Sequence, residues 1–196
     1  MVFLFKDRSD LNLIFLVLLN VALHYHVWMH PPLVVANDSD GILSYFLHHY
    51  LQYLSPWILK VLFHTIILSQ AIRLNILLSN FKMFQQISYI PAFTYIILTA
   101  IFPYWDVISA GLIANSLVIW ILVKLLRLYD QNQPKTLEIN IGLIVGLSII
   151  LYEPIAILIL VVLFALLVIR PFVLTEWIVL IMGILLPFYF IFTYVF

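Results

Sequence analysis

Two acidic residues and a group of histidines carry most of the chemistry this chain could perform. Asp38 and Asp40 stand one residue apart in Asn37-Asp38-Ser39-Asp40-Gly41. On a loop outside a membrane, an Asp-x-Asp pair offers hard oxygen ligands of the kind that hold Mg²⁺ or Mn²⁺ beside a phosphate leaving group. The same five residues are turn formers with helix-capping oxygens, and those preferences account for them with no ligand at all. Five of the six histidines, His24, His26, His30, His48 and His49, lie in or beside the same stretch. His26 and His30 have the spacing of a metal pair on one helical face, but Pro31 ends that helix and no Cys or firm third ligand joins them. Amphipathic ring placement at a membrane interface needs no metal.

Further on, His64 follows Lys60 by four residues inside an apolar run, where an ionisable group is a functional candidate by default and a hydrogen-bonded helix contact is the plainer reading. Thr65, Ser69 and Arg73 repeat every four residues, a stripe that could take a lipid phosphate at Arg73 or hold a neighbouring helix. Asn115, Ser116 and Asn140 extend the polar inventory, and Glu153 reads as a hydrated turn residue. No series of carboxylates crosses the apolar segments, which argues against a proton-coupled pump.

These residues sit in a sequence of 196 residues that is 65% apolar and 9% charged, with a mean hydropathy of +1.16. A soluble domain is about 25% charged, so the composition is that of an all-α integral membrane protein. Nine basic residues balance nine acidic ones, which excludes nucleic acid as the default partner and leaves membrane lipids and other membrane proteins. With no Cys there is neither a disulfide nor a thiolate site, and no cofactor is expected.

Backbone groups in lipid must be satisfied within the segment, so each long apolar run should be a helix. Seven are expected, at about residues 12–28, 57–78, 88–102, 107–126, 139–152, 155–169 and 173–196. The fifth and sixth are divided at Glu153-Pro154. Two crossings there keep Lys124, Arg127, Lys135 and Arg170 on one side, whereas a single long helix would separate Arg170 from the rest. By the same bias Lys6, Arg8 and Lys82 join them on the cytoplasmic side, with Arg73 one turn within, and Lys60 stands alone outside. The amino terminus is then cytoplasmic and the first segment a retained signal anchor. The outer loop 29–56 should carry an interfacial helix at 42–54, with Ser44, His48 and Gln52 at steps of four among aromatic residues. Gly142 and Gly146 permit close helix approach, Pro187 should kink the last helix, and Pro91 sits where a helix begins. No linker or repeat divides the chain, so residues 1–196 read as one polytopic domain, and the apolar finish at Phe196 suggests that the natural chain continues.

The stretches Ile101 to Asp106, Leu125-Leu126-Arg127-Leu128-Tyr129 leading to Asn140-Ile141-Gly142-Leu143, and Arg170-Pro171-Phe172-Val173-Leu174-Thr175-Glu176-Trp177 followed by Gly183 and Pro187 resemble an uncharacterised family of multi-pass inner-membrane proteins of Bacteroidota. The resemblance implies compartment and lineage, and no catalytic residue. A weaker, architectural likeness is to polyprenyl-phosphate-dependent glycosyltransferases, in which a loop Asp serves as base or metal ligand; only Asp38 and Asp40 match that placement, and the chain is much shorter than such enzymes. The expectation is a non-catalytic subunit of a bacterial inner-membrane assembly, in envelope export or biogenesis. The alternative is a glycosyltransferase-like or lipid-phosphate-handling enzyme using Asp38, Asp40 and a divalent cation.

Overall fold

The computed structural model describes residues 10–37, 40–83, 88–102, 105–129 and 134–195, so Asp38 lies outside the described residues. The chain is overwhelmingly helical and divides into two compact units: Met1–Val35 with His48–Leu112, and Ala36–Leu47 with Ile113–Phe196.

In the first unit, α1 (Asp10–Leu23) and α2 (Tyr25–Met29) break at His24, and α2 stops at His30, whose extended backbone suits the residue before Pro31. Helix α4 (Pro56–Asn80) opens on Pro56, whose missing amide costs nothing in the first turn. It closes at Lys82, held in the left-handed region at φ 50°, with the Met83 amide donating to the Leu78 carbonyl at 3.0 Å. Helix α5 (Ile90–Ile101) carries Pro91 in its first turn, as expected. A short parallel ribbon departs from the all-α expectation: β1 (Leu33–Val35) pairs with β2 (Val107–Ser109), Leu33 opposite Val107. Each run is too brief, and too like its apolar surroundings, to announce a strand by alternation.

Helix α3 (Ile42–Leu51) occupies most of the stretch expected to hold the loop helix. Helix α6 (Ala110–Leu128) leads into the second unit, where α7 (Lys135–Leu151), a 3₁₀ turn (Glu153–Ile157), α8 (Leu158–Ile169) and α9 (Leu174–Val195) follow. The chain breaks at Tyr152 and Pro154, where the sequence divided it. Ile121 and Leu125 of α6, Ile141 and Val145 of α7, Val162 and Leu166 of α8, and Leu180 and Ile184 of α9 share one buried cluster.

Helices α7 and α9 form the closest contact of this unit, and glycine makes it. A methyl group on Gly142 would strike the Leu180 carbonyl and lie 2.9 Å from Gly183 Cα. One on Gly183 would lie 2.7 Å from the Ile139 carbonyl, and one on Gly146 would meet the Pro187 ring at 3.0 Å. Contacts advance together along both helices, so α7 and α9 run parallel. A parallel pair needs a return path between the end of one and the start of the other, and the turn with α8 supplies it.

Three helices are long and apolar enough to cross a membrane, Pro56–Asn80, Ala110–Leu128 and Leu174–Thr193; Leu11–Leu23, Ile90–Ile101 and Glu153–Ile169 are apolar but shorter. Large apolar side chains face outward along them, including Leu18, Phe15, Leu160, Phe164, Met182 and Phe190. This is the pattern of a membrane protein.

Gly142→Ala places its new methyl against the backbone of α9, so overpacking should destabilise the chain by about 1–3 kcal/mol. Thermal unfolding in mild detergent should show it as a lower midpoint, while Leu147→Ala, on the exposed face of the same helix, stays close to the parent.

Candidate functional site

The loop acid nearest to chemistry is Asp40, which is 3% exposed. Its Oδ2 accepts from the Asn37 amide at 2.9 Å and from the Ser44 hydroxyl at 3.1 Å, while the Asp40 amide donates back to the Asn37 carbonyl at 3.0 Å. One carboxylate oxygen thus closes the turn and ties it to the first turn of α3. Asp40 also forms a bridge with Tyr152, and the Gly41 amide donates to the Leu151 carbonyl at 3.1 Å. A side chain at Gly41 would collide with the Ile150 carbonyl, which is why this position is glycine. The turn is therefore clamped on the end of α7. Ser44, expected on the polar outer stripe of the loop helix, instead faces Asp40, and His48 is half-buried.

A second polar group fills the first unit. Asn12, Leu16, Asn20 and His24 recur every four residues and are all buried, so this face of α1 and the residue after it turn inward, while Leu11, Leu13, Leu18 and Leu23 face outward. Asn20 Nδ2 donates to the His64 carbonyl at 3.2 Å. His24 Nδ1 lies 3.0 Å from the Asn20 carbonyl, and because a carbonyl only accepts, Nδ1 is the donor of this contact. The His64 ring stands 6.1 Å from that of His24 and stacks on Trp28 at 5.5 Å, and Lys60 donates to the Trp28 carbonyl at 2.6 Å. His24 Nε2, both His64 nitrogens, Trp28 Nε1 and Asp106 Oδ1 are buried without a hydrogen-bond partner. Burial pushes the Asp106 carboxyl above its usual range, against the opposing pull of His24 and His26. His26 and His30 do share a face, with ring centroids 5.2 Å apart, but both are exposed. Among the described residues, no group of three His, Cys, Asp or Glu is placed to hold a metal ion.

Deeper in the same unit, Gln70 donates to the Leu112 carbonyl at 2.7 Å and accepts from the Tyr95 hydroxyl at 2.5 Å. The stripe singled out on this helix faces the other way: Thr65, Ser69 and Arg73 are exposed, and the two hydroxyls donate to the Val61 and Ile66 carbonyls of their own helix. Asn140 likewise donates to Thr136 of its own helix at 2.7 Å.

The third group belongs to the second unit, at the starts of α7 and α9. Glu138, the residue before the apolar run that begins at Ile139, is 0% exposed. Burial, then the Glu176 carboxylate, push it up to about 7, while Arg170 and Lys135 pull it down. Glu176 pairs with Arg170, Nε to Oε2 3.6 Å. The sequence gives no sign of this pair because 38 positions, with the 3₁₀ turn and all of α8 among them, separate Glu138 from Glu176 (138 to 176). Only the glycine contact of α7 with α9 brings them face to face. The inward stripe of α1 had a signal, since Asn12, Asn20 and His24 are four-step polar positions in an apolar run.

No protein-family model matches the chain, and neither does any curated protein or solved structure.

Two substitutions separate these roles. Asp40→Ala strips a partner from the Asn37 amide and the Ser44 hydroxyl, so hydrogen exchange through residues 37–46 should quicken, with a stability loss of about 1–3 kcal/mol. Asp106→Asn should act in the opposite sense. A carboxyl whose folded value is raised loses stability as pH climbs from the ordinary carboxylate range through that raised value, so at neutral pH the uncharged amide should unfold at the same temperature as the parent or higher. A lower midpoint for Asp106→Asn would refute the burial argument.

Proposed function

We propose that the chain is a non-catalytic, multi-pass subunit of a bacterial inner-membrane assembly, in envelope export or biogenesis, with its amino terminus in the cytoplasm. The observation that carries this reading is the inverted distribution of polarity: outward helix faces of Leu, Ile, Phe and Val, inward Asn, Gln, His and Glu. Such faces suit lipid and the helices of partner proteins, the contacts by which membrane subunits assemble. The arrangement of the second unit supports the threading. Lys135 opens α7 and Arg170 precedes α9, at the starts of two parallel helices, while Glu153 and the Asp40 turn lie at the far end of α7. The positive-inside bias then assigns the first end to the cytoplasm.

One observation favours a second reading, a glycosyltransferase-like or lipid-phosphate-handling enzyme: Asp40 Oδ1 is buried without a partner and so remains free as a ligand atom. With Asp38 beside it in sequence, that oxygen would contribute to a divalent-cation site facing a lipid phosphate, and the exposed Arg73 supplies an anion contact elsewhere.

Purification from native membranes in gentle detergent, with mass spectrometry of bound proteins and lipids, tests the first reading. Stoichiometric protein partners are expected. A solitary chain carrying a polyprenyl phosphate, together with loss of function in the double variant Asp38→Asn, Asp40→Asn, would replace it with the second.

A further inference from the structure

Glu138 is wholly buried, and no hydrogen-bond donor reaches either of its carboxylate oxygens. The polar group within hydrogen-bonding reach is another acceptor, the carboxyl of Glu176, which also pairs with Arg170. The charged groups acting on Glu138 are Glu176 from α9, Arg170 just before it, and the exposed Lys135 on its own helix. What α6 and α8 contribute to the buried cluster of this unit is apolar, Leu125, Leu128, Val162 and Leu166 among them. Two ionised carboxylates in this position would repel each other across a dry helix contact with one close guanidinium between two charges. A single proton changes the chemistry, because a Glu138 O–H can donate to the Glu176 carboxylate, replacing the repulsion of two acceptors by a hydrogen bond.

We propose that Glu138 and Glu176 form a binding site for one proton, which ties the start of α7 to the start of α9 when bound and loosens that pair when released. The bond that forms is a carboxyl-to-carboxylate hydrogen bond; on release the proton passes to water at the end of the unit that carries Lys135 and Arg170. Glu138 is one turn from Gly142 and Glu176 one turn from Leu180, whose carbonyl that glycine touches. Occupancy therefore acts on the closest backbone contact in the unit. Under the proposed threading, the proton would come from the cytoplasm, and the site would make helix packing respond to cytoplasmic pH.

The test is thermal unfolding of the full chain in mild detergent as a function of pH, parent against Glu138→Gln. A carboxyl held protonated in the fold contributes stability below its unfolded value and loses it as pH rises through its folded value. The parent midpoint should therefore fall by several degrees between about pH 5 and about pH 7.5 and level off above that. Glu138→Gln should show a smaller fall, keeping only the contribution of other raised carboxyls such as Asp106, and match or exceed the parent at the higher pH. Equal pH dependence in the two proteins would overturn the proposal. So would a parent midpoint that rises with sodium but not with choline at fixed high pH, since the site would then belong to a metal cation. Should Glu138→Gln not accumulate, infrared spectra of the Asp106→Asn variant decide, since Asp106 carries a raised carboxyl of its own in the parent. A protonated-carboxyl band that vanishes as pH is raised through about 7 is expected, and its absence at about pH 6 would overturn the proposal.

Discussion

A helix whose outer face is Leu, Ile, Phe and Val offers a polar side chain no partner on that face, so Asn, Gln, Ser and Thr side chains of such helices are accommodated inward or by their own helix. The inward solution orders the first unit: Asn20 of α1 and Gln70 of α4 donate to backbone carbonyls of other helices. The self-contained solution explains Thr65, Ser69, Asn140 and Thr193, whose side chains donate to carbonyls three or four residues back. Such back-bonding lets a hydroxyl or amide sit on an apolar surface without an exposed, unsatisfied donor.

Within lipid, no hydrophobic difference drives one apolar helix onto another, and close backbone approach must supply the attraction. Gly142, Gly146 and Gly183 supply it in the second unit by removing the side chains that would hold α7 and α9 apart. Their contact has two consequences. It requires α8 to carry the chain back, and it fixes the register that sets Glu138 against Glu176. A structural feature, the glycine seam, thus creates an electrostatic one, the buried acidic pair.

Much of this was legible in the sequence. Apolar runs gave the helices, Glu153-Pro154 gave the break, and the four-residue spacing of Gly142 and Gly146 indicated a close approach. Asp40 was readable as a turn residue, and its bonds to Asn37 and Ser44 are those of a turn. What escaped is the pairing of distant segments: β1 with β2, the Asp40 turn with the end of α7, and Glu138 with Glu176. No local pattern encodes such pairings, because each depends on register across intervening helices. The division into two units also leaves no mark in composition, since α3 and α6 each run through a boundary without a linker. Helical spacing failed in one respect: it found the stripe of Thr65, Ser69 and Arg73 but not its direction, which is outward. An outward polar stripe is tolerable only because its hydroxyls are satisfied at home.

The proposed threading has α7 and α9 crossing the membrane in parallel, with α8 returning between them. Since the chain contains no cysteine, single replacements Lys135→Cys, Glu153→Cys and Arg170→Cys can be labelled in sealed vesicles of known orientation with a thiol reagent that does not cross the membrane. The account predicts that positions 135 and 170 react from the same side and position 153 from the opposite side. Reaction of 135 and 170 from opposite sides would contradict it.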